Sequence, residues 1–201
     1  VDNGIFDIGG AAGGSSVTSL AGSGVVTLGD HTLTITNADD TFAGTIAGTG
    51  GLVVGAGTQT LSGANSYTGG TVVSGGTLAL GGDGTLGDTS GTTTVIGDGT
   101  LDLGGTSQTQ NGGVTLAGGT IQNGTLSSSG TFALQGGTVS ATLAGAGGVN
   151  QSSGTTTLSG ANSYTGGTVV DGGTLALVGN GTLGDSSGST TVNASGTLDL
   201  G

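Results

Sequence analysis

Thirteen residues, LSGANSYTGGTVV, occupy positions 61–73 and recur without a change at positions 158–170. Sliding the chain by 97 positions aligns 61–104 with 158–201 without a gap, with 8 differences in 44 positions. Self-similarity at a long, fixed period is typical of repeat architectures. The repeated segment contains no His, no Cys and no charged residue, so we interpret it first as an architectural element.

A shorter period lies inside the 97-residue unit. Apolar residues taken one from each strand-like stretch advance by 17 to 23 residues, and five steps lead from Phe42 to Val139, which is about 19 residues per step. TLAL at 77–80 and TLDL at 100–103 alternate polar and apolar residues between Gly-rich turns, which is typical of short, half-buried strands. A coil of this length is too short for a helical repeat and indicates a β-solenoid.

We therefore predict an all-β fold, a right-handed parallel β-helix of about ten rungs of ~19–20 residues, with five rungs in each 97-residue repeat. The chain, 1–201, is expected to be a single solenoid segment and a fragment of a longer chain, because it starts and stops within the pattern. Its internal repeats are predicted at 38–104 and 135–201, with 105–134 as connecting rungs. The absence of Pro agrees with this prediction, since Pro cannot donate a hydrogen bond within a ladder.

Composition excludes several classes of partner. The chain has 12 acidic residues, no Lys and no Arg, and its formal net charge is −12. Phosphate groups are bound by cationic side chains, so we expect no binding to nucleic acid or to anionic membrane surfaces. No apolar run approaches the ~20 residues that cross a bilayer, and no basic stretch followed by an apolar one opens the chain, so membrane insertion by this segment is not expected.

The acidic residues do not form a pattern typical of an active site. Asp102 lies between Leu101 and Leu103, which should face the core, so its carboxylate is expected to point outward, and Asp199 repeats this placement. Glycoside hydrolysis requires two carboxyl groups roughly 5–10 Å apart across a cleft. Without cationic partners for such a pair, we expect solvated surface charge and predict that the chain is not an enzyme.

Metal and cofactor sites are not predicted either. The segment IGDGTLDLGG at 96–105 superficially resembles the nonapeptide of calcium-binding β-rolls, but no nine-residue array continues from it. The pair Asp39–Asp40 is a candidate for one calcium ion, although a polar turn is the preferred interpretation. His31 is the only His, and it lacks the partners that a transition-metal site requires.

Thr residues separated by one position occur at 32–34–36, 58–60, 92–94 and 155–157. The gaps between these pairs do not follow the ~19-residue rung, so an aligned array of Thr pairs on one face is not expected. We interpret these residues as ordinary strand formers on the outer faces.

The segments LSGANSYTGGTVVSGGTLALG at 61–81 and LSGANSYTGGTVVDGGTLALV at 158–178 resemble the autotransporter-associated β-strand repeat, also called the passenger-associated transport repeat, of type V secreted bacterial proteins. The resemblance implies a parallel β-helical passenger that is exported to the cell surface and folds there. It also implies that the repeat serves transport and folding of the passenger rather than catalysis. The motif positions are Gly63, Asn65, Tyr67, Gly69, Gly70 and Leu78, with the counterparts Gly160, Asn162, Tyr164, Gly166, Gly167 and Leu175.

Within this motif we expect Asn65 to cap or turn the backbone, Tyr67 to cover an edge of the core, and Gly69–Gly70 to make the bend. The leading functional hypothesis is a stalk segment of a surface-displayed passenger that supports adhesion, biofilm or self-association, with a host or matrix surface as its partner. Two alternatives remain. One is an extracellular filament assembled through the ends of the solenoid. The other is a non-catalytic part of a polysaccharide-acting β-helix enzyme.

Overall fold

The computed structural model describes residues 4–201, and every regular element in this range is a β-strand. The strands pair in parallel, and successive coils stack about 19 residues apart to form a β-solenoid of about ten rungs. This confirms the predicted fold class. Within residues 4–201, no helix is long and apolar enough to cross a membrane.

Most strands are short, four are long enough to continue from one face to the next, and most rungs contain two or three strands. In chain order they are β1 (Ile5–Asp7), β2 (Ser15–Val17), β3 (Val25–Thr27), β4 (Leu33–Ile35), β5 (Ala38–Phe42), β6 (Thr45–Ala47), β7 (Leu52–Val54), β8 (Gly57–Leu61), β9 (Thr71–Val73), β10 (Thr77–Leu80), β11 (Thr93–Asp102), β12 (Ser107–Thr109), β13 (Val114–Gln122), β14 (Thr125–Ser127), β15 (Phe132–Leu134), β16 (Gly137–Val139), β17 (Thr142–Ala144), β18 (Val149–Gln151), β19 (Thr155–Leu158), β20 (Thr168–Leu177) and β21 (Thr190–Asp199).

These strands form three faces. The long face runs through every rung and contains β2, β4, β7, β9, β15, β18 and the first halves of β11, β13, β20 and β21. The Thr face contains β5, β8, β10, β16, β19 and the second halves of the same four long strands. The broken face consists of two separate three-stranded sheets, β1-β3-β6 and β12-β14-β17.

The core is a narrow column of mostly aliphatic side chains inside the coil, to which a few buried aromatic rings are added. On the long face, Ile35 pairs with Val54, Val54 with Val73, Val73 with Val95, and Val95 with Leu116. All five side chains are fully buried. Because alternate residues of a strand point to opposite sides, the same registry that pairs the backbones also stacks these side chains. Each buried Val, Ile or Leu stabilises the fold by roughly 1.5–3 kcal/mol.

The Thr face carries one Thr at the same position of six consecutive rungs. These residues pair directly from rung to rung: Thr58, Thr77, Thr100, Thr120, Thr138 and Thr157. From the Thr-x-Thr pairs we expected no aligned array of Thr, whereas the structure aligns a column of single Thr residues. Unequal corner loops keep these residues in register although successive members lie 18 to 23 residues apart. Each cross-strand pair of this kind contributes roughly 0.2–1 kcal/mol.

The interpretation of Asp39 and Asp40 as a polar turn was wrong. Both residues lie within β5, where Asp39 pairs with Thr58 and Asp40 pairs with Gln59 of the next rung. Their side chains are exposed. A regular ladder with a neighbouring strand fixes their backbone, so they belong to the Thr face rather than to a loop.

The fold predicts that one whole 97-residue unit can be removed without breaking a rung. Deleting residues 74–170 joins Val73 to Asp171, which is aligned with Ser74 in the repeat. We expect this variant to keep β-rich circular dichroism and cooperative unfolding. Its free energy of unfolding should fall to roughly half, because solenoid stability is a sum over rungs and their interfaces.

A shorter deletion serves as the control. Removal of residues 74–160 places a broken-face segment directly after a long-face strand, so the core positions no longer align. We expect this variant to lose cooperative unfolding. Equal behaviour of the two deletions would contradict the register described above.

Candidate functional site

The repeated thirteen residues build a corner where the broken face has no strand. The segment between β8 and β9 runs beside β6 of the preceding rung without forming a regular ladder. Some main-chain bonds to the preceding rung remain: Ser66 N–H donates to the Ile46 carbonyl at 2.9 Å, and Thr68 N–H donates to the Gly48 carbonyl at 3.0 Å. A parallel ladder would also give the Ile46 N–H a main-chain acceptor. The corner supplies a different one.

The side-chain amide of Asn65 takes the place of the missing peptide group. Its Oδ1 accepts from the Ile46 N–H at 2.9 Å. Its Nδ2 donates to the Thr85 carbonyl of the following rung at 3.0 Å and to the Gly63 carbonyl at 3.0 Å. Only 6% of Asn65 is exposed. One buried amide therefore connects three successive rungs with the same donor and acceptor chemistry as the backbone.

Thr85 completes the connection to the following rung. Its Oγ1 accepts from the Asn65 N–H at 2.7 Å and donates to the Asn65 carbonyl at 2.9 Å. The hydroxyl thus satisfies both main-chain groups of Asn65. The side chain of Asn65 is thus hydrogen-bonded to the preceding and the following rung, and its backbone is hydrogen-bonded to the following rung.

Tyr67 lies in the core beside this amide and is fully buried. Its hydroxyl is 2.6 Å from Thr71 Oγ1, and Thr71 Oγ1 donates to the Leu86 carbonyl at 3.4 Å, so the Tyr67 hydroxyl donates to Thr71. Burial raises the pKa of Tyr67 well above its ordinary value of 10.0, and the hydrogen bond with Thr71 opposes this increase. A buried Tyr requires such a partner for its polar end.

The Tyr67 ring also requires a glycine in the following rung. Gly87 has a φ of +87°, and a Cβ at this position would lie 2.9 Å from Cδ2 and Cε2 of Tyr67. A side chain there would therefore strain the backbone and collide with the ring. We call Asn65, Tyr67, Thr71, Thr85 and Gly87 the first corner.

The second copy reproduces this geometry 97 residues later. We call Asn162, Tyr164, Thr168, Thr182 and Gly184 the second corner. Asn162 Oδ1 accepts from the Leu143 N–H at 2.8 Å, and Nδ2 donates to the Thr182 carbonyl at 2.8 Å. The Tyr164 hydroxyl is 2.7 Å from Thr168 Oγ1.

The Tyr164 ring has an additional aromatic neighbour. Its centroid lies 6.2 Å from that of Phe132, at an interplanar angle of 48°. Burial raises the pKa of Tyr164, and the hydrogen bond with Thr168 opposes this increase. The two corners thus impose the same protonation preference on both tyrosines of the chain.

A glutamine repeats the amide substitution one rung above the first corner. Gln108 of β12 accepts from the Leu86 N–H through Oε1 at 3.2 Å and donates to the Gly84 carbonyl through Nε2 at 3.1 Å. The segment that contains Leu86 also lacks a broken-face strand. Buried side-chain amides therefore accept main-chain N–H groups on the broken face where no strand is present to accept them.

The structure places the remaining motif residues against neighbouring rungs. A Cβ at Gly63, Gly69 or Gly70 would overlap backbone or side-chain atoms of an adjacent rung, and Gly70 also has a φ of +85°. The counterparts show the same close approach, at Gly160, Gly166 and Gly167. Leu78 and Leu175 are fully buried in the aliphatic core.

Sequence reasoning identified Thr71 and Thr168 as part of the repeat motif but missed two members of each corner. Thr85 and Gly87, with their counterparts Thr182 and Gly184, contact the predicted Asn and Tyr residues but were not singled out from the sequence. A signal was present, because TLGD at 85–88 recurs unchanged at 182–185. The partners lie up to 22 residues from the motif in sequence, and only the rung stacking brings them together.

Both copies of the repeated segment match one protein-family model. The model described as Passenger-associated-transport-repeat matches residues 53–80 and 151–177, which contain both copies of the Asn-Tyr segment. Two segments of the chain therefore match the passenger-associated transport repeat. This confirms the resemblance seen in the sequence. Comparison with curated proteins and with solved structures gave no match. The repeat and the solenoid fold fit an autotransporter passenger, a family that implies a secreted, cell-surface protein.

The charged residues around these corners are engaged in local turns. Asp88 Oδ1 accepts from the Ser90 N–H at 2.8 Å and from the Ser90 hydroxyl at 2.7 Å, and these bonds lower its pKa. Asp185 and Ser187 repeat the arrangement, which lowers the pKa of Asp185. Within residues 4–201, no group of three or more His, Cys, Asp and Glu side chains has the placement to hold a metal ion.

We predict that Asn65→Ala destabilises the protein by roughly 1–3 kcal/mol for each buried group that loses its partner. The Ile46 N–H and the Thr85 carbonyl would both lose one. Urea unfolding followed by circular dichroism measures the effect. Ser66→Ala is the matched control, because this neighbouring side chain is exposed and should change stability by less than about 0.5 kcal/mol. Equal effects of the two substitutions would contradict the role of the amide.

We also predict that the tyrosines do not ionise while the protein is folded. Their pKa values are raised by burial, so the folded state keeps the phenolic protons. The buried, protonated tyrosines contribute fully to the free energy of unfolding below the ordinary pKa of 10.0, and this contribution is lost progressively above it. Tyrosinate absorbance and circular dichroism should therefore change together in alkaline solution. Ionisation near the ordinary pKa with unchanged circular dichroism would show that the rings are accessible.

Proposed function

We propose that this chain is a structural stalk segment of a secreted bacterial passenger displayed at the cell surface. The observation that carries the proposal is the pair of corners, in each of which an Asn within a segment that matches the passenger-associated transport repeat connects three rungs. A stalk must keep its coils stacked without help from a large globular core. The corners supply buried hydrogen bonds where the broken face lacks strands.

The proposed role is to hold a surface at a distance from the cell and to support adhesion, biofilm or self-association. Ten rungs at the ~4.8 Å spacing of paired strands give a rod of roughly 45–50 Å. The rod carries a net charge of −12 and no cationic side chain. Such a surface favours neutral or cationic host and matrix components over nucleic acid or anionic lipid.

We propose that the chain has no catalytic activity of its own. The half-buried carboxylate of Asp102 illustrates the reason. Burial opposes its ionisation, but hydrogen bonds from the Gly104 N–H, the Gln122 amide and the Asn123 amide prevail and lower its pKa. A general acid in glycoside hydrolysis needs the opposite shift. Asp102 therefore serves as a hydrogen-bond acceptor between rungs.

Surface display is tested in the source bacterium with antibodies raised against the purified segment. We expect labelling of intact cells at the level seen after permeabilisation. Labelling that requires permeabilisation would exclude display at the surface. Amine-reactive labels are unsuitable because the segment has no Lys.

The structural role is tested with an in-frame deletion of the segment in the source gene. We expect attachment to a surface, biofilm mass or cell aggregation to fall, while the deletion of one 97-residue unit gives an intermediate loss. Fibres formed by the purified segment would favour the filament alternative. Loss of polysaccharide cleavage by the deletion strain would favour the alternative of a non-catalytic part of an enzyme.

A further inference from the structure

The sequence contains four Asn-Gly steps, at Asn3, Asn111, Asn123 and Asn180, and the last three lie within the described residues. An Asn followed by Gly is chemically labile, because the main-chain nitrogen of Gly can attack the Asn side-chain carbonyl without hindrance from a Cβ. The nitrogen must first lose its proton. A hydrogen bond that holds this N–H therefore protects the step.

Two of the three described steps are protected in this way. The Gly112 N–H donates to the Gly91 carbonyl of the preceding rung at 3.0 Å. The Gly181 N–H donates to the Val178 carbonyl at 3.0 Å. Asn111 is also held by its side chain, because its Oδ1 accepts from the N–H and the hydroxyl of Ser129, both at 3.1 Å.

Asn123 differs from both. It is exposed, and its φ of +56° makes it the one non-glycine residue with positive φ among residues 4–201. Within the same range, the N–H of Gly124 donates to no protein acceptor. Asn123 lies in the short turn between β13 and β14. Its Nδ2 donates to Asp102 Oδ2 and its carbonyl accepts from the Gly105 N–H, but neither bond engages the Gly124 nitrogen that would react.

We infer that Asn123 is a site of spontaneous deamidation. The Gly124 nitrogen bonds to Cγ of Asn123, the Cγ–Nδ2 bond breaks, and ammonia leaves with the proton released by the Gly124 nitrogen. Water then opens the cyclic imide at either carbonyl. The product is Asp or isoaspartate, and each adds one negative charge at neutral pH.

The modification has a structural consequence at the rung below. Asn123 Nδ2 donates to Asp102 Oδ2 at 3.0 Å, so deamidation replaces this donor with a second carboxylate beside the first. The Asn123 carbonyl also accepts from the Gly105 N–H at 2.6 Å. An isoaspartate adds one backbone carbon next to this bond. Both products therefore weaken the contact between two rungs in the middle of the rod.

The test is incubation of the folded protein in mildly alkaline buffer, with site-resolved mass spectrometry over time. Fragmentation of the intact chain is required, because trypsin has no Lys or Arg to cut after. Asn180 is the matched internal control, since Asn-Gly-Thr occurs at 123–125 and again at 180–182. We expect Asn123 to react at least about tenfold faster than Asn180, a ratio that corresponds to the ~1.4 kcal/mol needed to open one backbone hydrogen bond.

The same measurement in concentrated urea separates structure from sequence. We expect the rates at Asn123 and Asn180 to converge there. Equal rates in the folded protein, faster reaction at Asn180, no reaction at Asn123, or a difference that persists in urea would each overturn the inference.

The consequence is tested with two variants. Asn123→Gly keeps the positive φ without a carboxylate, and Asn123→Asp represents the product. We expect Asn123→Asp to unfold at a lower temperature than Asn123→Gly at neutral pH, and the difference to disappear in acid, where the carboxyl groups are protonated. A difference that is independent of pH would exclude repulsion by Asp102.

Discussion

The constraint on which the whole structure depends is the hydrogen-bond ladder between successive rungs. Every rung of a parallel solenoid must offer its N–H and C=O groups to the rungs above and below it. A buried group without a partner costs about 1–3 kcal/mol. On the long face, backbone pairs satisfy this requirement from rung to rung. On the broken face the strands are interrupted, and side chains form the hydrogen bonds that main-chain N–H and C=O groups would otherwise lack.

The side chains that replace the strands are primary amides. Asn65 and Asn162 accept from the rung before and donate to the rung after, and Gln108 does both toward one rung. An amide is suited to this role because it carries the same donor and acceptor pair as a peptide group. A hydroxyl has one proton and could not donate to two carbonyl groups as the Asn65 amide does, and a carboxylate would repel the carbonyl groups. These contacts explain why an Asn stands at the same place in both copies of the repeated segment.

The sequence alone predicted the fold class because its periods can be read from the residue order without knowledge of contacts between rungs. Period-two alternation identified the inward Leu, Ile and Val residues, and the spacing of Phe42 and Val139 gave the rung length. The Thr column was missed because its members lie 18 to 23 residues apart, and unequal loops between strands decide which residues pair. Asp39 and Asp40 were assigned to a turn on the basis of polarity, whereas the neighbouring rung holds them in a strand.

The sequence by itself determined that this chain forms a β-solenoid, that its core is largely aliphatic, and that it has no Lys or Arg. These properties follow from composition and periodicity, which need no knowledge of distant contacts. Only the tertiary structure decided what the motif residues do. Asn65 is a polar residue in a Gly-rich segment until Ile46 and Thr85 are stacked on either side of it. Its function arises from groups about twenty residues away in both directions, which stacking alone brings within hydrogen-bond distance.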